Sequence, residues 1–117
     1  MEIGVVTYGH LDGFANGVKQ LETSFRNARI SVLNNQPNSA RPSELQGSNS
    51  HYEFSGYLEV CESFTGSGPF VIINDTLFKT HYTVGWLRLL KHALAQLNKD
   101  AVTVYGDIRW DGNAYAE

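Results

Sequence analysis

The chain lacks the residue patterns that define several protein classes. Cys61 is its only cysteine, so no disulfide can form within the chain and a disulfide-stabilised secreted scaffold is excluded. No uninterrupted apolar stretch is long enough to span a bilayer. The N-terminus has neither the charged start nor the long apolar run of a signal peptide. We therefore expect a cytoplasmic protein with no membrane span.

Runs of basic residues are absent as well. The formal net charge is -3, so neither nucleic acid nor an anionic membrane has an electrostatic basis as the main partner. What the chain does have is a hydrophobic content of 42% over 117 residues. That content and length are typical of one globular domain with a modest core.

Short apolar runs alternate with segments of helical periodicity. The runs are continuous, which is typical of strands covered on both faces of a parallel sheet. Strands are predicted at Ile3–Tyr8, Arg29–Leu33, Phe70–Ile73 and Ala101–Tyr105, and helices at Phe14–Phe25, Phe54–Phe64 and Val84–Leu97. The predicted fold class is α/β, with an open, mostly parallel sheet of about four strands flanked by helices. We expect residues 1–117 to form a single domain.

One segment does not fit a compact domain. Residues 34–50 are polar and rich in proline, serine, asparagine and glycine. A loop of this length inside a small domain is usually functional or disordered. Two interpretations stay open, a mobile solvent loop and a loop that covers a ligand.

Polar residues follow three of the predicted strands. Open α/β sheets bind ligands at the carboxyl ends of their strands, so these residues form the candidate site. They are Thr7-Tyr8-Gly9-His10, Asn34-Asn35 and Asn74-Asp75-Thr76. Asp75 either ligates a divalent cation that bridges a diphosphate or caps a local turn. The chain has no G-x-G-x-x-G sequence after the first strand and no Walker A sequence.

The order of these motifs resembles the N-terminal part of the family 2 glycosyltransferases, which have the A-type, nucleotide-sugar-binding fold. Val5-Val6-Thr7-Tyr8-Gly9 corresponds to the family's first strand and turn. Residues 30–35 are similar to its Asp-Asn-Gly-Ser-like element, and residues 71–77 to its Leu-Asn-Asp-Asp-Thr-like run. Asp111-Gly112 matches a later turn, so the resemblance covers nearly the whole chain.

The resemblance implies a role for each residue of the candidate site. The nucleotide-binding residues would be Thr7, Tyr8, Gly9, Asn34 and Asn74, and Asp75 would bind Mg²⁺ or Mn²⁺ at the diphosphate. The implied reaction is transfer of a sugar from a nucleoside diphosphate to a hydroxyl acceptor. Two positions depart from the family pattern. Asn34 replaces a usual aspartate, and Thr76 stands where a second acidic residue is expected.

The family's catalytic base and acceptor site belong to a second half of the domain, which has no counterpart before Glu117. We therefore expect a truncated, transferase-like half domain that is inactive alone and self-associates. The resemblance assigns no catalytic residue, and it implies glycosyltransferase activity if the parent protein is complete. The alternative is a non-enzymatic α/β module that binds a ligand or a partner.

Overall fold

The computed structural model describes residues 1–79, 85–97, 108–110 and 114–116. The chain divides into two compact units, Met1–Val84 and Gly85–Glu117. The predicted strand Ala101–Tyr105 and the Asp111-Gly112 turn lie outside the described residues.

The first unit contains the parallel sheet. Its strands are β1 (Glu2–Thr7), β2 (Arg29–Asn34), β3 (Leu45–Gln46), β4 (Ser50–Tyr52) and β5 (Phe70–Asn74). Its helices are α1 (Phe14–Ser24), α2 (Glu53–Glu62) and a 3₁₀ helix (Asp75–Phe78). Four of the strands form one sheet in the order β3-β2-β1-β5, and all of its pairs are parallel. The predicted α/β fold with an open parallel sheet is confirmed.

The fourth strand of this sheet comes from a part of the chain that its sequence marks as loop. Leu45 pairs with Leu33, and Gln46 pairs with Asn34, at the outer edge of β2. Two residues are too few to produce a recognisable hydrophobic pattern, which explains why composition favoured a loop over residues 34–50. The segment therefore contains β3 and the first residue of β4.

Both faces of β1 are buried, as the continuous apolar run predicts. Gly4 and Val6 face α2, and a Cβ at Gly4 would lie 2.9 Å from the methyl groups of Val60. Ile3 and Val5 point to the opposite face and are 0% exposed. Right-handed crossovers place α1 and α2 on opposite faces, because β2 and β5 lie on opposite sides of β1. The sheet therefore lies between helices, with its core along β1.

The second unit contains one described helix and two short strands. Helix α3 spans Trp86–Gln96, within the predicted helix Val84–Leu97. Strands β6 (Ile108–Trp110) and β7 (Ala114–Ala116) pair antiparallel. Among the described residues of both units, no helix has the length and apolar character needed to cross a membrane.

Candidate functional site

An open cleft of about 370 Å³ lies at the carboxyl ends of β1 and β5, within the first unit. Because β2 and β5 flank β1, the direction in which strands are added reverses here. Open α/β sheets bind their ligands at such switch points. The cleft is lined by Val6, Thr7, Tyr8, Leu11, Asn35, Asn49, Tyr52, Glu53, Asn74, Asp75 and Thr76. Each of the three predicted strand ends thus contributes residues to this cleft, although Gly9, His10 and Asn34 are not part of its lining.

A buried hydrogen bond joins the ends of β1 and β5. The Thr7 hydroxyl donates a hydrogen bond to Asp75 Oδ2. The same hydroxyl oxygen accepts the backbone N–H of His10 at 3.0 Å. The side chains are almost fully buried, since Thr7 is 1% and Asp75 3% exposed. This pair fixes the distance between the two strand ends that form the cleft.

Burial raises the pKa of Asp75 above its ordinary value of 3.8, because desolvation disfavours the carboxylate. Hydrogen bonds from the Thr7 hydroxyl and the Leu11 backbone N–H oppose this rise, as do the charges of Lys79 and His10. Burial of the Asp75 carboxylate therefore has a free-energy cost, and the hydrogen bonds it accepts hold the loop after β1 in place. Asp75 is also part of the cleft wall, so its position is consistent with both predicted roles, a ligand of a divalent cation and a cap of the local turn.

The two asparagines after β2 have different environments. Asn34 is 0% exposed and does not belong to the cleft lining. Its Oδ1 accepts the backbone N–H groups of Gly9 at 3.2 Å and Gln36 at 3.0 Å, and its Nδ2 donates to the carbonyl of Ser39 at 3.0 Å. Asn34 therefore joins the loops that follow β1 and β2. Its neighbour Asn35 lines the cleft instead.

The loop after β1 packs closely against the segment after β2. Gly9 has a φ of +76°, and a Cβ there would lie 2.6 Å from Gln36 Oε1. Gly9 is thus required for the path of the loop, and it lies outside the cleft lining. His10 Nε2 lies 2.7 Å from Glu44 Oε2, which adds a second link between the two segments.

The Gln46 side chain organises the polar segment between β2 and β3. Its Nε2 donates to the carbonyls of Asn34 at 3.1 Å and Gln36 at 2.9 Å. Its Oε1 accepts the backbone N–H groups of Ser39 at 3.2 Å and Ala40 at 3.0 Å. One amide side chain therefore gives a segment of few apolar residues a defined path.

Asn74 ends β5 and caps the 3₁₀ helix that follows. Its Oδ1 accepts the backbone N–H of Thr76 at 3.0 Å. Burial raises the pKa of Tyr57, its interaction with the Asn74 side chain opposes the rise, and the carboxylates of Glu53 and Asp75 reinforce it. Asn74 is therefore both a helix cap and a lining residue of the cleft.

Two exposed aromatic rings belong to the cleft lining. Tyr8 is 52% exposed and Tyr52 is 78% exposed. Tyr8 was expected from its place after β1. Tyr52, Glu53 and Asn49 were missed by sequence reasoning, although α2 was predicted from Phe54. The N-terminus of a helix between parallel strands lies at the carboxyl edge of the sheet, so the residues just before Phe54 carried a usable signal.

The described lining of the cleft carries two carboxylates, Glu53 and Asp75, and neither lysine nor arginine. Nowhere in the part of the chain that the structure describes do three His, Cys, Asp or Glu side chains come together as a metal-binding group. Mg²⁺ is commonly held by one or two carboxylates together with substrate phosphates and waters. The two carboxylates therefore fit a divalent cation only if a ligand's phosphate oxygens share it.

Comparisons of the chain with protein-family models, with curated proteins and with solved structures found no match.

Proposed function

We propose that the cleft binds a nucleoside diphosphate sugar and that the chain supplies the donor-binding part of a glycosyltransferase. One observation carries this proposal: Thr7, Tyr8, Asn74 and Asp75 lie together at the switch point of a parallel sheet. The reaction would transfer the sugar to a hydroxyl acceptor. No residue of the described cleft is assigned as the catalytic base.

The chemistry of the cleft suits a ligand with both rings and hydroxyl groups. The exposed rings of Tyr8 and Tyr52 offer flat apolar faces with a polar tip. Asn49 and Thr76 lie on the cleft wall and can donate to and accept from ribose, sugar or base. A cleft of about 370 Å³ lies within the usual size range of small-molecule sites.

The diphosphate is the part of the ligand that the cleft would find most difficult to bind alone. Glu53 and Asp75 repel it, and none of the described lining residues is a lysine or arginine. We therefore propose that Mg²⁺ or Mn²⁺ accompanies the ligand, held by Asp75 and Glu53 together with the phosphate oxygens. Such an ion would neutralise charge on the leaving diphosphate.

Calorimetric titration with UDP-glucose and GDP-mannose, in Mn²⁺ and in EDTA, tests this proposal. We expect binding in Mn²⁺ and at least tenfold weaker binding in EDTA. Glu53→Gln should weaken binding in Mn²⁺ and strengthen it in EDTA, because the glutamine neither ligates the ion as well nor repels the diphosphate. Glu62→Gln, at the opposite end of α2, is the matched control. The proposal fails if neither donor binds in either condition.

The charge of the cleft also favours a second candidate, a non-enzymatic module that binds a neutral saccharide. Two carboxylates, polar amides and exposed tyrosines suit a sugar that carries no phosphate. Titration with methyl glucoside and with glucose oligosaccharides separates the two candidates. Binding of these sugars with no response to any nucleotide would favour the binding module.

Self-association and a cytoplasmic location belong to the same proposal. Phe70 and Ile72 of β5 are 49% and 42% exposed, and burying such apolar surface in a dimer would be favourable. Sedimentation velocity over a range of protein concentrations measures the association. A monomer at the highest concentration would contradict it.

A further inference from the structure

Tyr52 has a backbone conformation that its side chain disfavours. Its φ is +53° and its ψ is -138°, and it immediately precedes the first residue of α2. These angles resemble those of the first central residue of a type II′ turn, where glycine dominates. A bulky aromatic residue at positive φ is a genuine outlier. Glycine would adopt these backbone angles without strain, so the fold alone does not explain why residue 52 is a tyrosine.

Two buried side chains hold this conformation. The carbonyl oxygen of Tyr52 accepts the Ser55 hydroxyl at 2.7 Å and the Asn35 Nδ2 at 3.0 Å. Asn35 is 2% exposed and Ser55 is 7% exposed. Because the Asn35 amide packs against Gly56, where a Cβ would lie 2.7 Å from its Nδ2, it has little freedom to move away. The strained peptide is therefore supported by well-packed partners.

The strained backbone of Tyr52 places an exposed aromatic ring in a polar cleft. The Tyr52 side chain is 78% exposed, and the residue lines the same cleft as Tyr8 and Asn35. Strained residues that their surroundings hold in place are concentrated at ligand-binding and active sites. Its neighbour Phe54 is 72% exposed but lies outside the cleft lining, so exposure alone does not place a ring in the cleft.

We propose that Tyr52 is a ligand-binding residue whose ring stacks on the flat face of a ring in the ligand, with Asn35 and Ser55 as its positioning residues. The inference rests on the proposed function, because it assigns a contact within the same cleft. The stacked ring is the base of a nucleoside or the pyranose of a sugar, which share an apolar face bordered by polar groups. A single aromatic stacking contact changes affinity by roughly 5-fold to 100-fold.

The test compares Tyr52→Gly, Tyr52→Phe and Phe54→Ala with the unchanged protein. The probes are uridine, methyl glucoside and UDP-glucose with Mg²⁺, titrated into labelled protein and followed by NMR, with thermal unfolding measured in parallel. We expect Tyr52→Gly to raise Tm by roughly 2–6 °C, because strain is released. The same variant should bind at least one probe about 5-fold or more weakly. Tyr52→Phe keeps the ring and should lose much less affinity than Tyr52→Gly, whereas Phe54→Ala, outside the cleft lining, should bind as the unchanged protein does.

The outcomes separate this inference from the proposed function. If uridine or methyl glucoside binds with dependence on Tyr52 while UDP-glucose does not bind, the inference stands and the proposed function fails. If UDP-glucose binds equally well to Tyr52→Gly, the proposed function stands and the inference is overturned. A lower Tm for Tyr52→Gly would also overturn it, because the backbone would then favour tyrosine. If no probe binds the unchanged protein, both are refuted.

Discussion

Replacing Thr7 with valine removes the hydroxyl that joins β1 to β5 and changes the side-chain volume little. Two hydrogen bonds disappear, the one donated to Asp75 Oδ2 and the one accepted from the His10 N–H at 3.0 Å. A hydrogen bond to a charged group contributes about 1.5–3 kcal/mol, and a neutral one about 1 kcal/mol. We therefore expect Thr7→Val to lower the free energy of unfolding by about 2–4 kcal/mol at pH 7.

The loss should depend on pH in a defined direction. Burial raises the pKa of Asp75, so the folded state binds its proton more tightly than the unfolded state does. Stability from this group is therefore full below the unfolded pKa and falls as the pH rises through the folded pKa. Thr7→Val removes a donor that favours the carboxylate and raises the pKa of Asp75 further. The destabilisation should consequently be smaller near pH 4 than at pH 7.

Urea unfolding followed by circular dichroism at pH 4 and pH 7 measures both effects. Thr7→Ser is the matched control, because it keeps the hydroxyl and loses only a methyl group. A Thr7→Val protein within about 0.5 kcal/mol of the unchanged protein at pH 7 would refute the reasoning, since that is the usual effect of a surface substitution. Equal losses for the serine and valine variants would assign the effect to packing rather than to the hydrogen bond.

Three further substitutions test the packing, the electrostatics and the loop. Gly56→Ala places a Cβ 2.6 Å from Val6 Cγ1, so we expect overpacking to cost about 1–3 kcal/mol in chemical unfolding despite alanine's better helix propensity. Desolvation raises the pKa of Glu2, but backbone N–H donors and the Arg29 guanidinium give a net lowering. The stabilisation by the Glu2 carboxylate is thus present above pH 4.5 and lost as the pH falls through the folded pKa. Glu2→Gln should therefore flatten the fall of Tm in acid, and an unchanged pH profile would argue against a stabilising role of this carboxylate. Gln46→Ala removes the hydrogen bonds that hold the segment between β2 and β3. Limited proteolysis with mass spectrometry should therefore show faster cleavage within residues 36–46. Equal cleavage rates would show that the amide does not hold the segment.

The sheet could be predicted because its central strands are buried on both faces. The run from Ile3 to Val6 has no polar residue, and that continuity identifies a strand between two helical layers. Strand β3 could not be predicted, because Leu45 and Gln46 owe their strand conformation to pairing with β2 and to the Gln46 amide. The local sequence does not indicate hydrogen bonds between residues that are far apart in the chain.

The candidate site was only partly predictable for a related reason. Among the residues that the rule for strand ends selects, Gly9, His10 and Asn34 lie outside the cleft lining, and the others line it: Thr7, Tyr8, Asn35, Asn74, Asp75 and Thr76. The rule cannot decide which of two adjacent asparagines turns inward, because that depends on the loops each one contacts. Asn34 joins two loops, whereas its neighbour Asn35 lines the cleft and supports the strained carbonyl before α2.

The most direct test of the account is a titration of ¹⁵N-labelled protein with UDP-glucose in Mg²⁺, because its central claim is that the cleft binds a nucleotide sugar. The largest chemical-shift changes should map to the cleft, at Tyr8, Asn35, Asn49, Tyr52 and Thr76. Residues 65–66, beside Glu2 at the amino end of β1, should stay unchanged. Shifts confined to that opposite end of the sheet, or no shifts at millimolar ligand, would contradict the account.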